Sequence, residues 1–273
     1  MHRPKKSVLA AVAAATLIGL TACGGDAELS AADEPLKVGA SPVPHAEILR
    51  FVDDELADDA GLELEIVEFT DYVQPNVALD DGSIDANYFQ TVPYLAEQEA
   101  SAGYDFAALE PVHIEPLGIY SESLTDLAGL PDGATVAIPN DPTNAARALR
   151  LLEANDLLTL ADTGDAAPTA LDIDDNPKNL EIQEVEAAQL PRSLADVDLA
   201  VINGNYAIDA DLSPAEDALA LEEAEGNPNA NLLVVRSGDE GDERIAQLEE
   251  LLHSDEVRQF IEDNYEGAVL AAF

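Results

Sequence analysis

The chain has no tryptophan, one cysteine, and a methionine only at its first position. With a single cysteine no intramolecular disulfide can form, so packing alone must hold the fold. Basic residues are scarce as well: 12 Lys and Arg stand against 56 Asp and Glu, a formal charge of −44. A surface of that sign repels nucleic acid and polyphosphates and excludes both as partners. It does not repel a zwitterion, whose net charge is zero. The acids are spread along the chain, the pattern of a solvated surface and not of a binding tail. Catalytic signatures are also missing. The histidines His2, His45, His113 and His253 stand at no metal-ligand spacing from one another. There is no P-loop, no G-x-G-x-x-G and no G-x-S-x-G. Acid pairs occur everywhere and so single out nothing. The residues ask for no enzyme, no metal and no cofactor.

The first residues read as a targeting segment. Arg3, Lys5 and Lys6 precede an apolar run from Val8 to Leu20, too short and wrongly flanked for a stable membrane span. The run ends in Leu20-Thr21-Ala22-Cys23, small residues before the only cysteine, as in the lipobox of bacterial lipoproteins. The expectation is a signal peptide over 1–22, a lipidated Cys23, and a flexible tether over 23–35. Removing the leader takes away three of the 12 basic residues and none of the 56 acidic ones, leaving a formal charge of −47. The remaining 251 residues suffice for one large domain or two lobes.

From Leu36 onward, strand-like and helix-like segments alternate. Leu36–Ala40 reads as a strand. His45 to Asp59 carries Ile48, Leu49, Val52 and Leu56 on one helical face, and Gly61 stops it. Leu62 to Phe69 alternates as a second strand, completing a βαβ unit. Later strands are expected at Phe106–Ile114, Leu117–Tyr120, Ala134–Ile138, Leu180–Val185, Val197–Ile202 and Leu232–Val235. Helices are expected over Pro93–Ala102, Asn144–Asn155, Ile245–Leu252 and Asp255–Tyr265. The class is α/β, with more than one sheet.

Three constellations stand out. Aromatics are 5% of the chain, yet Tyr72, Tyr88, Phe89 and Tyr94 fall within Phe69–Leu95. They are either local packing or one wall of a small-ligand pocket. Asn144 and Arg147 are i,i+3 at a helix start, so they share a face suited to a carboxylate; a surface ion pair is the alternative. Asn203 and Asn205 follow a buried-looking strand, where amides suit the crevice of an α/β sheet or simply make a turn.

Several blocks, in order, resemble the methionine-binding lipoproteins of ABC importers (the NlpA/MetQ family). They are Lys37-Val38-Gly39, Phe69-Thr70-Asp71-Tyr72-Val73-Gln74-Pro75-Asn76, Asp85-Ala86-Asn87, Phe89-Gln90 and Pro93-Tyr94-Leu95. Further on come Ile138 to Asn144, Asn176 to Leu180, Glu186 to Leu194 and Ala200 to Ala207. The resemblance runs from about Leu36 to Phe273. It implies a two-lobed type II periplasmic-binding-protein fold with two crossover segments and an interlobe cleft. Lobe one would span 36–115 plus 206–273, and lobe two 116–205. It implies an aromatic cage of Tyr72, Phe89 and Tyr94, a carboxylate held by Asn144 and Arg147, and Asn203 on the ligand's backbone polar groups. Where the family has His after Phe-Gln, this chain has Thr91, which alters one wall of the cage. The implied protein is a lipid-anchored receptor on the extracytoplasmic face of the cell membrane. It would capture L-methionine or a related zwitterion and deliver it to an ABC permease with its ATPase. A receptor for another amino acid or a short methionine-containing peptide is the alternative.

Overall fold

The computed structural model describes residues 29–32 and 34–273. The expected signal peptide and Cys23 lie outside the described residues. Two sheets organise the rest. The first has the order β13-β4-β12-β3-β1-β2. Its strands are β1 (Leu36–Ala40), β2 (Leu64–Glu68), β3 (Ala86–Thr91), β4 (Phe106–Ile114), β12 (Ala230–Arg236) and β13 (Leu270–Ala271). The second has the order β11-β5-β10-β6-β9. It is built from β5 (Gly118–Tyr120), β6 (Thr135–Pro139), β9 (Glu181–Val185), β10 (Leu199–Ile202) and β11 (Ala220–Leu221). β7 (Thr159–Leu160) and β8 (Ile173–Asp175) form a separate small ribbon. Strands joined by helices pair in parallel, as β1 does with β2 and β3 and β6 with β9 and β10. The remaining pairs are antiparallel.

Helices cover both sheets: α1 (Glu47–Val52), α2 (Asp58–Ala60), α3 (Gln74–Asp80), α4 (Val92–Ala102), α5 (Pro142–Ala154), α6 (Leu190–Ser193), α7 (Gly204–Asp209), α8 (Pro214–Asp217), α9 (Glu243–Leu252) and α10 (Asp255–Tyr265). The starts of three of them explain themselves. Asp141 caps α5 by accepting from the Asn144 amide at 2.9 Å, with Pro142 in the first turn, where its missing N–H costs nothing. Ser254 caps α10 in the same way at 3.2 Å. Thr91 caps α4, its hydroxyl accepting from the Tyr94 amide at 3.4 Å. The expected single helix over 45–59 is instead interrupted. Wider five-residue turns at Pro42–Ala46 and Asp53–Ala57 flank α1, and the prolines at 42 and 44 bring no N–H for a regular first turn.

Each sheet has its own core. Val38, Ala40, Ile48, Leu49, Val52, Leu233, Val235, Leu248 and Ile261 pack on the first. Leu117, Ile119, Val136, Ile138, Leu149, Leu152 and Val201 pack on the second. The chain passes from β4 to β5 through Glu115–Leu117, and returns from β11 to β12 through the segment 222–229. The return therefore comes later than the expected boundary at 206, because the edge strand β11 pairs with β5 in the second sheet. No helix among the described residues is long and apolar enough to cross a membrane.

The expected tether does not run free up to residue 35. Ser30 donates from its amide and its hydroxyl to the Asp85 carboxylate, at 2.8 and 2.7 Å. The Arg244 guanidinium, at the start of α9, donates to the Ser30 carbonyl at 2.8 Å and to the Ala31 carbonyl at 3.0 Å. These bonds fasten the segment before β1 onto the first sheet's body. Arg244→Ala should free it while leaving both cores untouched. Limited proteolysis read by mass spectrometry is then expected to cut between residues 29 and 35 faster than in the parent; equal rates would mean the clamp holds nothing.

Candidate functional site

Between the two sheets lies a small cavity. Its wall on the first sheet's side is aromatic. Phe89 comes from β3, Tyr94 from α4, and half-buried Tyr72 from the turn before α3. Their ring centroids form a nearly equilateral triangle, with separations of 6.0, 5.9 and 6.0 Å. The hydroxyls turn away from the ring cluster. Tyr94 donates to the Tyr72 carbonyl at 3.0 Å, and Tyr72 donates to Asn205 Oδ1 at 2.6 Å, which ties the two sides of the cleft together. Burial raises the pKa of Tyr72 well above the usual phenol value, so it stays a neutral donor. Next to this wall the side chains of Asn76, Asn87 and the cavity-lining Gln90 bond to one another and to the Pro75 carbonyl, which locks α3 onto β3. Thr91 also lines the cavity, but its hydroxyl is engaged as the α4 cap.

The opposite wall is polar and comes from the second sheet's side. Asp141 accepts from both the amide N–H and the side-chain Nδ2 of Asn144, which turns Asn144 Oδ1 inward. That oxygen accepts from Arg147 Nη1 at 3.2 Å and from Asn203 Nδ2 at 2.9 Å. Arg147 has the acid partner of the ion-pair reading, but not at the surface. It is buried in the cavity wall, and it is also held in a fork by Glu222, with Nε to Oε1 at 3.2 Å and Nη2 to Oε2 at 2.5 Å. Asn203 Oδ1 is buried and has no partner among the described residues. Buried acceptors of that kind are rare, and in a cavity wall this one is free for a donor from a ligand.

A third group completes the cavity, and sequence reasoning missed it. Glu115, at the end of β4, is buried and lines the floor. Its Oε1 lies 2.7 Å from His113 Nε2 and 3.3 Å from both His45 Nε2 and Asn231 Nδ2. The His113 Nδ1 atom bonds the Tyr88 hydroxyl, so Tyr88 donates to Nδ1 and Nε2–H donates to the carboxylate. Burial lowers the pKa of His45 to about 4 and of His113 to about 3, so both rings are neutral at pH 7. Burial pushes the Glu115 carboxyl above its ordinary value, while His45, the Asn205 backbone and Arg147 draw it down. The carboxylate is thus solvated by neutral donors and has no cation in its hydrogen-bonded shell. Gly204, the first residue of α7, lets that helix approach: a Cβ there would stand 2.7 Å from Glu115 Cβ.

The structure places all seven expected residues, Tyr72, Phe89, Thr91, Tyr94, Asn144, Arg147 and Asn203, around this one cavity. Tyr88 is behind it and works through His113. His45, Glu115, Asn205 and Asn231 join them. Sequence spacing gave no sign that two histidines share a site, yet the rings of His45 and His113 are 4.8 Å apart although 68 residues separate them in sequence. With Glu115 they are the only group among the described residues that could offer three donors to a metal ion. Their facing atoms are already bonded to one another and to Asn231, which makes the group a hydrogen-bonded carboxylate. Chemically, the cavity offers an apolar aromatic pocket, a guanidinium, and a carboxylate held by neutral donors.

Residues 36–273 match the family model described as NlpA lipoprotein. The "Probable D-methionine-binding lipoprotein MetQ" of Vibrio cholerae is 39% identical over 265 residues, covering 97% of each chain. The "Methionine-binding lipoprotein MetQ" of Bacillus subtilis is 40% identical, covering 92% of this chain and 93% of its own. Among solved structures, a nutrient-binding protein from Burkholderia cenocepacia bound to methionine superposes with a TM-score of 0.84. It is 44% identical, and the match covers 87% of this chain and 100% of that one.

Proposed function

As the chain belongs to the NlpA lipoprotein family, we propose that it is an extracytoplasmic solute-binding protein that captures methionine and passes it to an ABC importer. The observation that carries this reading is the sorting of the cavity into three chemistries, one for each part of a thioether amino acid. The ring triangle of Tyr72, Phe89 and Tyr94 suits the thioether, since sulfur–aromatic contacts contribute about 0.3–1.5 kcal/mol each. Arg147, positioned by Asn144, faces the α-carboxylate. Glu115 and Asn203 Oδ1 accept from the ammonium, with Asn231 and His45 holding Glu115 in place. Such a site takes up a zwitterion without leaving either charge unpaired, which is the condition for burying charge cheaply. Relatives are named as binding proteins, and the cavity has no nucleophile set against a base; the protein is read as a receptor and not an enzyme.

In this reading the lobes are 36–114 with 230–273, and 118–221, joined by the crossovers 115–117 and 222–229. Cys23 carries the lipid, the anchor lies in the cell membrane, and the body faces outward to meet the permease and its ATPase. Because one acyl chain holds a protein only marginally, firm retention requires more than one on Cys23. Cys23→Ser should move the protein from the membrane fraction to the soluble fraction with methionine affinity unchanged; a variant that stays in the membrane fraction contradicts the anchor.

Calorimetry tests the ligand. L-methionine should bind the wild-type protein, and Arg147→Ala should bind it about a hundredfold or more less tightly. Removing one partner of a buried charge pair costs roughly 3–5 kcal/mol. Circular dichroism must show the fold intact. A loss below about threefold would return Arg147 to the role of a structural partner of Glu222.

A further inference from the structure

We propose that Glu222 is a specificity-determining residue: from outside the cavity it sets how strongly Arg147 draws the ligand's α-carboxylate. The inference rests on the methionine-site reading above. Glu222 does not line the ligand cavity. It lies behind Arg147 in an adjoining groove that also includes Arg150, Asn227 and Asn229. Arg147 is the one residue that lines both spaces, so the Arg147–Glu222 pair is the partition between them.

The donor count defines what is left for a ligand. A guanidinium has five N–H groups. Glu222 takes one from Nε and one from Nη2, and Asn144 Oδ1 takes one from Nη1. Two remain, one on each terminal nitrogen. The charge count is as restrictive. The fork already neutralises the guanidinium, so an arriving carboxylate meets a donor pair whose positive charge is partly spent and a second carboxylate directly behind it. Wild-type Arg147 therefore reads the ligand's carboxylate mainly by hydrogen-bond geometry.

Glu222 is also fixed to both crossovers. It lies on the return segment. Its amide donates to the Leu117 carbonyl at 2.8 Å, and its Oε2 accepts from the Leu117 amide at 3.3 Å. Leu117 is on the outward crossover. The guanidinium that faces the ligand is thus oriented from the segments that join the two sheets, and not by α5 alone.

The test compares L-methionine with L-methioninamide, which keeps the side chain and ammonium but has a neutral carboxamide. Both are titrated at slightly acidic pH, where the amide's amine is protonated. The proteins are the wild type, the neutral variants Glu222→Gln and Glu222→Ala, and the charge-keeping Glu222→Asp. Either neutral variant should bind methionine more tightly and methioninamide less tightly. The preference ratio should rise by about a hundredfold, the scale of one unit charge several ångströms away at an effective dielectric near 20. Glu222→Asp should keep the wild-type ratio even if both affinities fall. Having two neutral variants keeps the test open if one fails to fold, as read by circular dichroism. Equal weakening of both ligands would make Glu222 a structural support and overturn the proposal, as would an unchanged ratio. If the wild type bound no methionine, the site reading would fall and this inference with it; a wild type that binds but whose ratio does not move overturns this inference alone.

Discussion

Glu115 is a carboxylate buried where the chain first leaves one sheet for the other, and it is held without a neutralising cation. Four separate parts of the chain converge on it. His113 comes from its own strand β4, Asn231 from β12, His45 from the turns before α1, and Gly204 from the start of α7. Desolvating a charge is expensive unless hydrogen bonds or a partner compensate it. His113, Asn231 and the Asn205 backbone supply the hydrogen bonds, and no cation bonds the carboxylate among the described residues. The requirement explains features that look unrelated in isolation. Tyr88 must be buried to fix the His113 tautomer, Gly204 cannot carry a Cβ, and Asn231 must bridge His45 and Glu115.

The same logic orders the other end of the cavity. Arg147 is a buried cation that does have its partner, Glu222, so that end is close to neutral before any ligand arrives. An α-amino acid inverts neither balance. On the proposed reading its ammonium would neutralise Glu115, and its carboxylate would settle on donors that Glu222 leaves free. The aromatic triangle contributes apolar contact and carries no charge. A protein of formal charge −44 thereby binds a neutral zwitterion, with its many surface acids playing no part in the site.

The fold was legible where local rules decide it. Strands β1 and β4 and helices α4, α5, α9 and α10 carry their own alternation, caps or apolar faces, and they fall within a few residues of where the pattern put them. The two-residue strands β11 and β13 were not legible, because so short a segment shows no period; β11 is what moves the return crossover past residue 206. In the site, Tyr72, Phe89 and Tyr94 showed through an aromatic-poor background, and Asn144 and Arg147 through helical spacing. Glu115 could not be seen among 56 acids, and its links to His45 and Asn231 span 70 and 116 residues, beyond any local pattern. Glu222 was hidden for the same reason.

The central claim is that the empty site holds a buried carboxylate waiting for the ligand's ammonium. It is tested most directly by titrating L-methionine into the wild type and Glu115→Gln at a series of pH values from 7.5 downward. In the empty wild type the Glu115 carboxyl titrates above its ordinary value, while the ammonium holds it ionised in the complex. Binding must then release a proton wherever the empty site holds one, so affinity should fall as pH drops through that raised value. Glu115→Gln should bind more weakly at pH 7.5 and lose this part of the pH dependence. Wild-type affinity that stays flat down to the ordinary carboxylate range, or a Gln variant that binds as tightly as the wild type, would contradict the account.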